Sequence, residues 1–179
     1  MTKILILKML KDLVNIFKFF KKTKVKLLPI EFADTEKIAR SVFSPVNVTK
    51  SDKLRTNTFK SPANKDEVSV NRLYYTNASH LKKLSKEIEN PPQRNYFGFA
   101  ILSKFEISKC NTEVVYSPVL EPKDKINPFH SDIKVGYIKE KGKEFPAEIN
   151  YKIDKLITAC RFYKDPNPSI DNWTGKELL

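Results

Sequence analysis

Apolar and polar positions along the chain fall into short segments with two different periods. Alternation with a period of two, together with β-branched and aromatic residues, predicts strands. These strands cover Glu67–Tyr75, Tyr96–Ile107, Val114–Leu120 and Ile133–Ile138. Apolar residues spaced three and four apart predict helices, and this spacing occurs over Ser79–Glu89 and Ala147–Tyr163.

The order of these segments indicates the fold class. Strands do not alternate regularly with helices and no internal repeat is present, which favours an α+β domain. Pro118 lies within a predicted strand, and because proline lacks an N–H we expect that strand at a sheet edge. The segment Phe32–Phe43 fits either a short helix or a strand. We therefore predict a mostly antiparallel sheet of four or five strands packed by two main helices, in a single domain over residues 29–179.

Residues 1–28 differ from the rest of the chain and are predicted to form a basic amphipathic helix. On a helical wheel the polar residues gather on one face and the apolar residues on the other. The apolar face comprises Leu5, Ile6, Met9, Leu10, Leu13, Ile16, Phe17 and Phe20. Lysines interrupt this run well before the ~20 apolar residues that a membrane span requires. Three roles fit it: packing on the domain or a partner, lying on an anionic membrane surface, or forming a poorly ordered leader.

The charge is concentrated in that leader. The chain carries a net charge of +12, and residues 1–28 contribute eight lysines against one acid, Asp12. The remaining domain is only mildly basic. Across the chain 28 of the 33 bases are lysine, whereas a dedicated nucleic-acid reader usually relies on the planar, multidentate guanidinium of arginine. Nucleic acid thus stays one candidate partner, beside a protein partner and an anionic membrane.

Several classes of site are not indicated by the sequence. The two cysteines, Cys110 and Cys160, form neither a CxxC motif nor a disulfide ladder, which favours a reducing, cytoplasmic setting. The two histidines, His80 and His130, lie far apart with no ligand-spaced cysteine or acid, so we predict no metal site. Only four glycines are present, and neither phosphate-binding glycine motif occurs. We therefore predict no cofactor.

His130 is the single residue most suggestive of chemistry. It lies in the sequence Asn127-Pro128-Phe129-His130-Ser131-Asp132, which we place directly before a strand. A histidine can act as a base near neutral pH, and a nearby carboxylate such as Asp132 can fix its tautomer. The competing interpretation is a plain turn, because Asn-Pro starts turns and Ser and Asp side chains bond their own backbone there.

A second group of candidates is Arg40, Ser69 and Arg72. Arg40 lies near the end of the first element, and Ser69 should face away from Val68 and Val70 because side chains alternate along a strand. An early arginine followed by a serine on a later strand resembles the layout of ADP-ribosyltransferase-like folds. In that family such residues hold the pyrophosphate and ribose of NAD. The resemblance covers Arg40 and Ser69; the alternative for both arginines is pairing with acids.

Three hypotheses for function follow from these observations. The first is a small intracellular binding or accessory protein that engages a polyanion or a protein partner through lysine-rich surfaces and the His130 turn. The second is an enzyme of nuclease or ADP-ribosyltransferase-like type that uses His130, Asp132, Arg40, Ser69 and Arg72. The third is a peripheral membrane protein held by residues 1–28. Aromatic residues beside Arg72 and Arg94 could stack bases in the first two cases, although most such rings are needed for the core.

Overall fold

The computed structural model describes residues 25–122 and 126–178. The predicted basic helix over residues 1–28 therefore lies outside the described residues, apart from its last four, which have no regular secondary structure. Within the described ranges the chain forms an α+β structure built on one antiparallel sheet. None of the helices in these two ranges is long and apolar enough to cross a membrane.

Six strands form the sheet in the described part of the chain, so the predicted count of four or five is wrong. They run in the order β4-β5-β2-β1-β3-β6, and every neighbouring pair is antiparallel. Their bounds are Lys37–Ser44 (β1), Glu67–Arg72 (β2), Asn95–Ser103 (β3), Glu113–Tyr116 (β4), His130–Lys134 (β5) and Arg161–Lys164 (β6). The segment Phe32–Phe43, which fitted either a helix or a strand, thus contributes to strand β1. Strand β4 lies at an edge of the sheet, as expected from Pro118.

Three helices lie in the same ranges. They are Ala78–Lys86 (α1), Lys104–Lys109 (α2) and Ala147–Ala159 (α3), and two short 3-10 turns occupy Thr56–Phe59 and Leu73–Tyr75. The helix α3 ends before the predicted limit because Cys160 adopts an extended conformation. The chain then pairs with β3 as strand β6. The helix α2 replaces the end of the predicted strand Tyr96–Ile107, because Ser103 and Glu106 form a reciprocal capping box that starts a helix.

The two faces of the sheet carry different helices. On one face α3 packs its buried residues Ile149, Ile153 and Leu156 against the inward side chains of the strands. On the other face Leu81 of α1 packs against Phe43 and other residues of β1 and β3. The hydroxyls of Ser41 and Ser85 also meet there at 2.7 Å. Because α1 sits over β1 and β3, it leaves an open region beside it above β2 and β5.

Both cysteines are free thiols. Cys110 is buried, and Cys160 is half-buried directly after the end of α3. Burial raises the pKa of the Cys110 thiol and raises that of Cys160 to about 12. Both groups are therefore protonated near neutral pH, which makes them poor nucleophiles.

Candidate functional site

The open region beside α1 is a cleft of about 460 Å³, which we call the sheet cleft. Its polar floor comes from β1, β2 and β5, and from the chain that enters β5. The residues of this floor include Arg40, Ser69, Asn71, Asn127 and His130. Its apolar walls come from Leu84 and Ile88, at the end of α1, and from Val119. A cleft of this size with an apolar wall and a few convergent polar groups fits a small-molecule site.

Strand alternation explains why the polar side chains share one face. Val68 and Val70 are buried on the α3 side of β2, so Ser69 and Asn71 point toward the cleft. This confirms the predicted orientation of Ser69. In the antiparallel pairing with β5, Ser69 lies opposite Asp132 and Asn71 lies opposite His130. Side chains of directly opposed residues are about 5 Å apart at Cβ, so these four residues form one polar patch.

Arg40 occupies the place where β1 and β2 separate. Pairing between these strands stops at Ala39 and Asn71, and beyond that point the Arg40 side chain bridges the gap. Its Nε donates to the carbonyl of Thr58 at 3.1 Å, and its Nη1 donates to the carbonyl of Ser69 at 2.7 Å. These bonds satisfy one backbone oxygen of the 3-10 turn Thr56–Phe59 and one of β2, and they fix the guanidinium at the cleft floor.

The charge of Arg40 has no ion-pair partner among the described residues. Burial and repulsion from Arg94 lower the pKa of the Arg40 guanidinium to about 10, while Asp132 acts in the opposite direction. The group still carries its proton near neutral pH. Arg94 lies over the ring of Phe43, with Cζ 4.1 Å from the ring centroid. Glu87 also lines the cleft, but no ion pair joins it to Arg40 in the described residues. The Arg40 guanidinium therefore has no direct counter-ion at the cleft floor.

His130 and Asp132 are joined through Ser117, which follows β4. The hydroxyl of Ser117 lies 2.5 Å from Asp132 Oδ2 and 3.1 Å from His130 Nδ1. His130 Nδ1 also lies 2.7 Å from the carbonyl oxygen of Ser117. A carbonyl oxygen can only accept, so the proton sits on Nδ1. The Ser117 hydroxyl then donates to the Asp132 carboxylate and accepts from Nδ1.

This tautomer leaves His130 Nε2 with its lone pair free to accept a proton. Asp132 Oδ1 lies 3.9 Å from Nε2, close enough to stabilise positive charge if His130 becomes protonated. The arrangement is not a serine-hydrolase triad, because there the carboxylate holds Nδ1 and the serine faces Nε2. Here the Ser117 hydroxyl is committed to Asp132. Nε2 is therefore the ring nitrogen left for acid–base chemistry, while Ser117 contacts both Nδ1 and Asp132.

Arg72 lies outside the sheet cleft. Its Nε is 2.5 Å from Glu36 Oε1 in a buried ion pair. Its Nη1 donates to the carbonyl of Pro29, and its Nη2 donates to the carbonyl of Glu31. Three aromatic rings surround the guanidinium, those of Phe32, Tyr75 and Tyr116. The structure thus brings together His130, Asp132, Arg40 and Ser69, and it separates Arg72 from them. The pairing of Arg72 with an acid matches the alternative interpretation, although the pair is buried rather than exposed.

The other residues considered in the sequence analysis lie at the surface or in the core, outside the sheet cleft. His80 is exposed, and its ring meets that of Phe129 edge-on with 5.5 Å between centroids. Of the aromatic residues considered for base stacking, Tyr96 and Phe99 are fully buried in the core, whereas Tyr74 is 78% exposed. Within residues 25–122 and 126–178, no group of three or more His, Cys, Asp or Glu residues could hold a metal ion.

Sequence reasoning missed several polar residues of this site, including Ser85 and Glu87 on the side of α1. Ser117, Asn71 and Asn127 were not identified, yet Asn127 Nδ2 donates to Asn71 Oδ1 at 2.8 Å across the cleft floor. For Asn71 a signal existed, because it shares the period-two face of Ser69. For Ser117 the sequence carried no such signal, because the position of this residue depends on the pairing of β4 with β5.

Comparisons of the chain with protein-family models, with curated proteins and with solved structures find no match.

Proposed function

We propose that the sheet cleft binds a small phosphate-bearing ligand of nucleotide type, anchored by Arg40. The observation that carries this proposal is a guanidinium held rigidly at the cleft floor, bound to two neutral carbonyl oxygens and to no carboxylate in the described residues. A partly buried charge without a counter-ion is costly. An anionic ligand would supply the missing partner, and arginine binds phosphate through paired N–H donors.

The other walls of the cleft fit the rest of such a ligand. Asn71, Asn127 and Ser69 offer hydrogen-bonding groups of both kinds near the anchored charge. Leu84, Ile88 and Val119 offer an apolar surface on which a planar base can lie. The cleft therefore combines polar groups with an apolar surface, which favours a ligand with an anionic end and a flat, weakly polar end.

Binding should depend on Arg40 more than on the other basic residues. We expect Arg40→Gln to weaken the binding of ADP by about 10- to 100-fold, the value of one or two charge-assisted hydrogen bonds. Isothermal titration calorimetry of the full chain with ADP and with pyrophosphate measures this effect. Arg55→Gln is the matched control, because Arg55 is exposed and lies outside the cleft.

A second variant separates loss of binding from loss of folding. Ile88→Trp enlarges a side chain that is 52% exposed at the cleft wall, so it should block the cleft without disturbing the core. Its affinity for ADP should fall as well. Equal affinities for ADP in the wild type, Arg40→Gln and Ile88→Trp would place binding elsewhere, above all in the lysines of residues 1–28. Absence of binding by the wild type would reject the proposal.

A second candidate function is enzymatic, and the orientation of His130 favours it. With its proton on Nδ1, Nε2 can take a proton from a water or hydroxyl as that oxygen attacks a phosphorus or a ribosyl carbon of the bound ligand. The leaving group departs as the new bond forms, and Asp132 stabilises the imidazolium that results. This chemistry fits either of the reactions predicted from the sequence, phosphodiester cleavage or transfer from NAD.

If the protein is such an enzyme, His130→Gln should lower turnover by about 10²- to 10⁴-fold, the usual contribution of a general base. Binding of ADP should stay close to the wild-type value, because the variant keeps Arg40. The assay follows cleavage of NAD and of a short single-stranded RNA by chromatography. The only other histidine, His80, supplies the control His80→Gln. An active His130→Gln enzyme contradicts the assignment.

A further inference from the structure

A second cavity lies at the end of the sheet where β1 begins and β2 ends. It has a volume of about 860 Å³ and shares no lining residue with the sheet cleft. We call it the terminal cavity. Its walls come from residues 29–37, from residues 73–78 and from the C-terminal residues Trp173, Glu177 and Leu178. Its lining is largely apolar and includes the ring of Tyr74, which is 78% exposed.

The charge of this cavity is opposite to that of the protein. Three acids line it, Glu31, Glu36 and Glu177, against a single base, Lys37. Glu36 is neutralised by Arg72, but Glu31 and Glu177 are exposed and have no ion-pair partner in the described residues. A chain with a net charge of +12 thus presents an acidic, aromatic cavity. Its surface complements an apolar segment that carries lysines.

Such a segment precedes the cavity in the same chain. Residues 1–24 contain the apolar stripe identified in the sequence, bordered by lysines. Residues 25–28 connect them to Pro29, which lines the cavity. The carbonyls of Pro29 and Glu31 are held by Arg72, so the point of attachment is fixed. Four residues span at most about 14 Å, which keeps the segment at the mouth of the cavity.

We propose that the apolar face of residues 1–24 docks into the terminal cavity of its own chain, with its lysines directed toward Glu31 and Glu177. The cavity supplies what an amphipathic helix lacks when it is alone, an apolar surface on which to bury one face. This inference does not depend on the function proposed for the sheet cleft.

The only tryptophan of the chain, Trp173, lines the terminal cavity and therefore reports its occupancy. The experiment measures acrylamide quenching and emission wavelength of Trp173 in the full-length chain. Leu13→Asp places a carboxylate on the apolar face, which should lower the docking equilibrium by tenfold or more, as expected on burying an unpaired charge (about 1.4 kcal/mol or more). Quenching of Trp173 should then rise, with a shift of emission to longer wavelength.

Asn15→Asp is the matched control, because it adds the same charge two residues away on the polar face. It should leave quenching unchanged. A variant on the cavity side gives a second test. Tyr74→Ala should raise quenching as Leu13→Asp does, and its exposure means that the core is not disturbed. Tyr151→Ala, at a tyrosine that is 62% exposed on α3, is its control and should match the wild type.

Three results would overturn the proposal. Equal quenching in the wild type, Leu13→Asp and Tyr74→Ala would show that the cavity does not hold the leader. Binding of the wild type to anionic vesicles that Leu13→Asp abolishes and Tyr74→Ala leaves intact, with no change in Trp173 quenching, would assign the apolar face to a membrane. A dimer in analytical ultracentrifugation that Leu13→Asp and Tyr74→Ala both dissociate would place the leader in the cavity of a second copy.

Discussion

Replacing Arg72 by methionine should lower the free energy of unfolding by about 3–5 kcal/mol, the usual cost of breaking a buried ion pair. The Arg72 and Glu36 side chains are 0% and 5% exposed. Without Arg72 the Glu36 carboxylate remains buried with no counter-ion, and two carbonyl oxygens lose their donor. Urea denaturation followed by circular dichroism measures the loss.

The double variant Arg72→Met/Glu36→Leu tests the cause of that loss. Replacing both members of a buried pair by apolar groups is often nearly neutral, so the double variant should be more stable than Arg72→Met alone. Lys134→Met is the control for an exposed pair. Lys134 lies 3.0 Å from Glu67 at the surface, and its loss should cost less than about 1 kcal/mol. An Arg72→Met protein as stable as Lys134→Met would contradict the argument.

The burial of Arg72 illustrates how far local patterns predict a site. Val68, Val70 and Arg72 share one period-two face of β2, so alternation alone directs Arg72 toward the buried side and Ser69 toward the cleft. The sequence pattern was sufficient to orient Ser69. It gave no information on the partner of Arg72, because Glu36 lies on a different segment 36 residues earlier in the chain.

The fold was predictable at the level of class and less so at the level of single elements. The antiparallel α+β class and the edge position of β4 followed from element order and Pro118. Strand β6 was missed because Cys160 and Tyr163 continue the helical spacing of α3, while the chain turns extended at Cys160. In this segment pairing with β3 determines the backbone conformation, although the apolar spacing is helical. The helix α2 was readable from Ser103 and Glu106, since a serine followed three residues later by glutamate marks a helix start.

Strand pairing brings the residues of the sheet cleft together, and the local sequence pattern does not predict which strands pair. His130 and Asp132 lie two residues apart in the sequence, and Arg40 and Ser69 were identified separately. They meet because β2 lies between β1 and β5 in the sheet. The sequence analysis also placed the start of β5 at Ile133, whereas the strand begins at His130. His130 lies within the strand rather than before it, and its side chain is therefore directed by the pleat and not by a turn.

The second buried ion pair fixes the C-terminal segment to the domain. Lys82 of α1 and Asp165 are both fully buried, with Nζ 2.7 Å from Oδ2. The same Nζ donates to the carbonyls of Asn167 at 2.8 Å and Asn172 at 3.0 Å. One ion pair and two hydrogen bonds thus hold the Lys82 ammonium group to the segment that leads to Trp173. This segment carries Leu178, which packs in the core cluster beneath α1.

Lys82→Met should therefore destabilise the protein by about 3–5 kcal/mol and also release the C-terminal segment, because the buried Asp165 loses its counter-ion and two carbonyls lose a donor. Urea denaturation measures the first effect, and faster amide exchange over residues 165–178 measures the second. Lys86→Met is the matched control one turn later on α1. Lys86 is partly exposed where it reaches the same segment, at the carbonyl of Ser169 and at the exposed Asp171. Its loss should therefore cost less than about 1 kcal/mol and raise amide exchange less than Lys82→Met does. A Lys82→Met protein with wild-type stability and exchange would show that Asp165 does not need this partner.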